Sequence, residues 1–129
     1  MFTIEQIKEA HSKVKSGADF PAYIQDLIKL GVTSYDSYVA DGHVDYFGNN
    51  NYKTSVPPKY DALTIGVKSN REQFQKDLRA HQEGKTDYLR FCKDCADAGI
   101  NRWAVDMKKM TCTYYDTAGN EMLVEAIPQ

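Results

Sequence analysis

The sequence predicts an α+β fold, a two-layer sandwich in which helices cover one face of an antiparallel sheet, arising from a duplicated ααβββ unit. Three observations carry that expectation. Apolar residues recur first at helical and then at strand spacing, and the whole succession occurs twice. Glycines stand where helices must stop, at Gly17, Gly31, Gly84 and Gly99. The chain also aligns with itself at a shift of 68 positions, without a gap from residue 19 to residue 48.

In chain order, Thr3 and Gln6 form a capping box, in which each side chain reaches a backbone N–H that the first helical turn leaves unpaired. Ile7, Ala10, His11 and Val14 mark one helical face, and Gly17 ends it. Asp19 is placed to cap a second helix, with Pro21 in its first turn and Phe20, Tyr23, Ile24, Leu27 and Ile28 as its apolar stripe, stopping at Gly31. Residues 33–39 and 43–47 then alternate with period two around Asp41-Gly42, a pair suited to a tight hairpin. Residues 48–60, rich in Asn and holding Pro57-Pro58, read as a surface loop, and residues 62–67 as the third strand.

The second half repeats this order. Ser69 and Glu72 suggest another capping box, opening a helix with Phe74, Leu78 and His81 inward and Gly84 at its end. Thr86 is placed to cap a fourth helix, with Tyr88, Phe91, Cys92 and Cys95 inward and Gly99 as terminator. Strands at 102–107, 110–115 and 121–127 follow, the last two joined by the turn Thr117-Ala118-Gly119-Asn120. The 68-residue shift sets Phe20 on Tyr88, Tyr23 on Phe91, Tyr35 on Trp103, Val44 on Cys112 and Tyr46 on Tyr114. Only Asp19, Asp26, Gly31 and Tyr46 are identical to their partners, so the match is one of residue class. The first helices align at an offset of 67, through Ile7 with Phe74 and Gly17 with Gly84. A single domain, residues 1–129, with pseudo-repeat halves 1–68 and 69–129 is expected.

Alternation assigns Tyr35, Val39, Val44, Tyr46, Leu63, Ile65, Trp103, Val105, Met107, Cys112, Tyr114, Met122 and Val124 to the helix-covered core. The opposite face then carries Asp36, Tyr38, Asp45, Phe47, Thr64, Asp106, Thr113, Tyr115, Leu123 and Ile127. That mixture is too apolar for a plain solvated surface and too polar for a core, so this face is expected to meet a second copy of the chain or a ligand.

Composition narrows the function classes. Apolar residues make up 42% of the chain and charged residues 26%, ordinary values for a globular domain that folds on its own. The net charge of −2 is spread in mixed sign, which disfavours nucleic-acid binding. No apolar run approaches the ~18 residues of a membrane span and the N-terminus does not read as a signal peptide, so the expectation is a cytoplasmic protein with no membrane partner. Cys92, Cys95 and Cys112 are too few for a disulfide framework. Cys92-Lys93-Asp94-Cys95 lies within a helix, away from the N-terminal dipole that would activate a thiol, and Cys112 with His81 fits no common zinc spacing. Buried free thiols, no metal and no cofactor are expected. His11 and His81 fall on apolar helical faces and read as core histidines, whereas His43, after the hairpin turn, reads as exposed. Asp36, Asp45 and Asp106 are candidates to converge on the open sheet face, where a carboxylate pair ~5 to 9 Å apart would permit hydrolytic acid-base chemistry; alternatively they keep that face soluble.

The run His81-Gln82-Glu83-Gly84-Lys85-Thr86-Asp87-Tyr88, with Phe91-Cys92, Gly99, Trp103 and Met110-Thr111-Cys112-Thr113-Tyr114-Tyr115-Asp116, resembles the YdfO/YbcV-like bacterial family of unknown function. Members of that family are often carried on prophages and called "phage envelope protein". The resemblance spans almost the whole chain, including Gly31-Val32, Tyr35, the Asp41-Gly42 hairpin and the closing Val124-Glu125-Ala126-Ile127-Pro128. It implies an α+β fold and a mobile-element association, and supplies no activity and no catalytic residue. Nothing in the chain supports residence in an envelope.

The functional expectation is a noncatalytic accessory protein, a homodimer or a binder of a protein or small molecule. Its contact residues would be Asp36, Tyr38, Asp45, Phe47, Asp106 and Tyr115 on the sheet face, with His81 and Gln82 beside the helical corner. The alternative is a small enzyme using a polar cluster of His81, Asp87 and Asp106.

Overall fold

The computed structural model describes residues 2–15 and 17–127; Pro128, part of the resemblance above, lies outside the described residues. The element order is α1 (Ile4–His11), α2 (Phe20–Leu30), β1 (Val32–Tyr38), β2 (Val44–Gly48), β3 (Lys53–Val56), α3 (Arg71–Gln82), α4 (Tyr88–Asp97), β4 (Ile100–Asp106), β5 (Thr111–Asp116) and β6 (Glu121–Ala126). All six strands form one antiparallel sheet in the order β3-β2-β1-β4-β5-β6, an α+β arrangement as the patterning predicts. No helix among the described residues is long and apolar enough to cross a membrane.

The 68-residue shift reappears in the strand registers. Tyr35 pairs with Tyr46 and Trp103 with Tyr114; Ser37 pairs with Val44 and Val105 with Cys112. Where the halves meet, Tyr35 pairs with Val105 and Ser37 with Trp103, so exchanging the halves maps each pair onto the other. The exchange axis passes beside Asp36 and Ala104, which face one another. Both β1 and β4 carry a register irregularity one residue after their start.

Local chemistry explains the helix ends and corrects several expectations. The Thr3 hydroxyl accepts from Gln6 N at 3.2 Å while Thr3 N donates to the Gln6 side-chain Oε1 at 2.9 Å, completing the capping box. However, α1 ends at Ser12, whose hydroxyl donates to the Glu9 carbonyl, and not at Gly17. Gly17 opens a short 3-10 turn pressed against α3, where an added Cβ would lie 2.6 Å from the His81 carbonyl oxygen. Its glycine is thus required by close approach. Gly31 does stop α2, in the left-handed conformation at φ 101°. Asp19 stands at the N-cap of α2 but makes no capping bond, its carboxylate accepting instead from Lys15 N at 2.9 Å.

The caps of the second half sit one residue later than expected. Asn70, not Ser69, caps α3 by accepting from Gln73 N at 3.1 Å. Asp87, not Thr86, caps α4 by accepting from Arg90 N at 2.8 Å. An Asx side chain competes well for this role, and Thr86 is occupied otherwise, as described below.

The third strand of the first half is the largest correction. It is Lys53–Val56, inside the segment read as loop, while residues 62–67 form no strand. Lys53-Thr54-Ser55-Val56 is an edge strand, short and polar, with a lysine at its start, so it lacks the apolar alternation of a covered strand. Residues 62–67 instead climb from the hairpin end to the helix layer, where Leu63 N donates to Ala40 O at 2.6 Å and Gly66 N to Ala96 O at 2.8 Å. Leu63 and Ile65 are half-buried there.

The core lies between helices and sheet. Ile7, Ile24, Leu27, Phe74, Cys92 and Cys95 from the helices meet Tyr35, Tyr46, Val105 and Cys112 from the strands. Burial of each large apolar side chain contributes about 1.5 to 3 kcal/mol. A bulge between Tyr114 and Tyr115 shifts the phase of β6. Val124 consequently faces outward beside Thr113 and is 51% exposed, whereas Leu123 joins the core beside Tyr114 and Ile127 is buried. These three positions reverse the alternation assigned from sequence, as a one-residue slip must.

Candidate functional site: an aromatic chamber between the layers

Helices pack most closely within the pairs α1/α2 and α3/α4. Between the two pairs, over β1 and β4, lies a chamber of about 90 Å³. Its walls are residues matched by the internal shift: Phe20 with Tyr88, Tyr23 with Phe91, Tyr35 with Trp103, and Tyr46 with Tyr114. The rings interlock, with Phe91 and Trp103 centroids 5.6 Å apart and Tyr35 and Tyr46 5.2 Å apart.

The inner hydroxyls satisfy one another. Tyr23 and Tyr46 share a hydrogen bond of 2.8 Å between their phenol oxygens. Ser37 stands beside Tyr88, and the Trp103 indole, which can only donate, beside Tyr35. Burial pushes the Tyr23, Tyr35 and Tyr114 phenols well above their ordinary range and Tyr46 up to about 12. The interior therefore offers protonated, mutually paired rings, and no buried side-chain polar atom among the described residues lacks a partner.

Charged and titratable groups stand at the margins. His11 meets Tyr23 and Tyr88 edge-on, with centroids 5.4 and 5.0 Å away. Desolvation, assisted by the nearby Lys59 charge, lowers its pKa to about 4, so the ring is neutral at physiological pH. Lys59 is exposed as a residue, yet its ammonium sits 5.2 Å from the Tyr88 centroid, and desolvation there lowers its pKa. On the other side, Gln82 Nε2 donates to a Glu125 carboxylate oxygen at 2.8 Å. His81 is buried and stacks on Phe91 at 4.3 Å. Its Nδ1 lies 3.1 Å from the Thr86 carbonyl, which can only accept, so Nδ1 carries the proton; burial lowers its pKa.

A second cavity, about 380 Å³, opens outward between α1 and the segment after β3. It shares His11, Tyr46 and Lys59 with the chamber and adds Lys8, Ser12 and Pro57-Pro58.

The residues singled out from sequence divide between two faces. His81 and Gln82 line the chamber. Asp36, Tyr38, Asp45, Phe47, Asp106 and Tyr115 lie half-buried on the open sheet face. There the Asp36 and Asp45 carboxylates stand directly opposite one another, an unfavourable pairing relieved by Arg102 at 3.5 Å from Asp36 and by the Ser55 hydroxyl donating to Asp45 at 2.7 Å. Burial, with the Asp45 charge, raises the Asp36 pKa against the opposing pull of Arg102.

The aromatic groups of that face have intramolecular partners. Arg102 lies 4.0 Å from the Tyr115 ring centroid, Lys53 lies 5.9 Å from that of Phe47, and Tyr38 stacks on His43 at 4.3 Å. His43 is thus half-buried and paired with Asp41 at 2.6 Å, not free in solvent.

Of the set His81, Asp87 and Asp106, the first two are near enough for the Asp87 charge to favour the protonated imidazole, and Asp106 does not join them. Asp87 caps α4, and Asp106 sits across the sheet, where its carboxylate accepts from Lys108 N and Lys109 N in the hairpin turn. Cys92, Cys95 and Cys112 are free and buried, and burial raises each thiol, Cys112 to about 12. Among the described residues no group of three or more His, Cys, Asp or Glu is placed to hold a metal ion.

The chamber itself went unrecognised in the sequence, although its signal is there: bulky aromatic residues fall on bulky aromatic residues at the 68-residue shift. Core packing alone would be met as well by aliphatic pairs. No curated protein matches the chain. A family model described as "Protein of unknown function (DUF1398)" matches residues 8–126, nearly the full length, and on that match the chain belongs to the DUF1398 family.

Proposed function

We propose that this protein is a noncatalytic ligand-binding module whose ligand occupies the chamber between its two helix pairs. The observation that carries this reading is the interlayer cavity walled by Tyr23, Tyr35, Tyr88 and Trp103, which shares His11, Tyr46 and Lys59 with an outer groove. The outer groove alone falls in the ~300 to 1,000 Å³ range of small-molecule sites, and apolar walls with a few placed polar groups are their usual composition. Its noncatalytic character is supported by the chemistry present: the thiols and the inner phenols are shifted away from their ionised, reactive forms. The family resemblance supports an accessory role for a prophage or other mobile element, inside the host cytoplasm, and the matched registers support reading the chain as a duplicated unit.

Trp103 is the single tryptophan of the chain and lines the chamber, so its emission reports occupancy. A panel of aromatic fragments is expected to include binders that shift Trp103 emission and raise the melting temperature. Val14→Phe, at the half-buried margin, should abolish the response. A panel with no binder, or binding that survives Val14→Phe, would refute the chamber as the site.

A second reading gives the open sheet face a protein contact, including self-association, and is favoured by the row of half-buried aromatic and charged groups at Tyr38, Asp36, Arg102 and Tyr115. Light scattering of wild type and Tyr115→Asp tests it. Two monomers would remove homodimerisation through this face.

A further inference from the structure

Resting on the chamber reading, we infer that the ligand is an aromatic anion, with its ring held among Tyr23, Tyr88 and Trp103 and its acidic group directed outward to Lys59 and Lys8. The Tyr23 and Tyr46 hydroxyls already bond to each other and no buried side-chain polar atom among the described residues lacks a partner, so the chamber recognises a ring by shape and contact. The free electrostatic capacity lies in the outer groove, which Lys8, His11, Ser12 and Lys59 line with apolar neighbours and, among the described residues, no carboxylate.

Neither lysine has a carboxylate within ion-pair distance among the described residues. Glu5 and Glu9, on the same helix as Lys8, do not line the groove. Lys59 lines both chamber and groove, its ammonium against the face of Tyr88. There desolvation disfavours its charge, and an anion beside it would stabilise that charge.

The orientation follows from the opposite margin. Glu125, bonded by Gln82, is the acidic residue of the chamber wall and would repel an anion directed toward β6. A ligand with its ring inside and its charge toward α1 meets the cations and avoids the carboxylate. The inner chamber is smaller than the ~150 Å³ closed cavity that accepts benzene, so the ring must extend partly into the groove, which carries the charged end to the lysines.

Three probes of one skeleton test the inference: 4-phenylbutyrate, 4-phenylbutanamide and 4-phenylbutylamine, titrated by Trp103 emission and by calorimetry. The carboxylate should bind about tenfold or more tighter than the amide, and the amine weakest, as expected when a charge-assisted contact is gained or opposed. Lys59→Met, at an exposed position, should bring the carboxylate to within about twofold of the amide measured on the same variant. Added salt should weaken the carboxylate alone. Equal binding of carboxylate and amide at the chamber, a preference for the amine, or a carboxylate preference that survives Lys59→Met would overturn the anion assignment and leave the chamber reading standing. Absence of binding by all three, with Trp103 unperturbed, would overturn both.

Discussion

Acidification from about pH 7 to about pH 4 should destabilise the domain through the ring of His11. In the unfolded chain this imidazole takes up a proton below its ordinary value of 6.5; in the folded protein it does so only near 4. Between those values the unfolded state holds more protons, so stability is fully present above the upper value and is lost as pH falls through the window. At about 1.4 kcal/mol per pKa unit, the whole shift corresponds to about 3 kcal/mol. His11 is only half-buried, so solvent screening reduces the expected effect to about 1 to 2 kcal/mol. Urea denaturation of wild type and His11→Phe over this pH range isolates it. Phenylalanine preserves the edge contacts with Tyr23 and Tyr88 and cannot ionise, while carboxylates and the other histidines cancel in the difference. NMR titration of the His11 ring protons gives the folded pKa directly, and Lys59→Met should raise it, because the lysine charge is the second cause of the shift. A folded inflection near the ordinary imidazole value, or a wild-type-minus-variant difference that is flat with pH, would refute the placement of this ring against the chamber.

Two further outcomes follow from the local structure. Asn70→Ala should cost about 1 kcal/mol, the usual worth of an N-cap, whereas Ser69→Ala should stay within about 0.5 kcal/mol; the reverse order by thermal denaturation would return the cap to the serine. The three cysteines should be silent to Ellman's reagent in the native protein and all react in denaturant, and fast native labelling of any one would contradict their burial.

Much of the fold was legible because helix punctuation and strand alternation are local. The Thr3–Gln6 capping box, the Gly31 stop and the Asp41-Gly42 hairpin depend on residues a few positions apart, and all three stand in the structure. The third strand was not legible by the same means. An edge strand gains its hydrogen bonds from one neighbour and buries little, so Lys53–Val56 carries no apolar alternation, while Leu63 and Ile65 imitate a strand as they cross to the helices. A better guide was present: carried back from Glu121, the shift of 68 lands on Lys53. The reversal of Leu123 and Val124 depended on a bulge, which no periodicity foretells. The chamber was not legible for a different reason. Alternation says which face is polar, but concavity arises from how two helix pairs fail to close over a sheet, a relation between distant parts of the chain.

The resemblance between halves also indicates where specificity should be sought. Residues matched across the two halves converge where the helix pairs meet, so bulky aromatic groups at equivalent positions line one shared space from both sides. A symmetric chamber of this kind would treat the two ends of a ligand alike. This one does not, because His11 stands where the other half has Leu78, and Ser37 where it has Val105. Lys59 enters from the connection that joins the halves. A neutral histidine, a hydroxyl and an unpaired ammonium thus gather toward the first half, and Glu125 with Gln82 toward β6. Matched aromatics explain why a space exists between the layers; the unmatched polar residues give that space a direction, and it is their substitution, rather than that of the rings, that should change which molecule is bound without changing whether the chain folds.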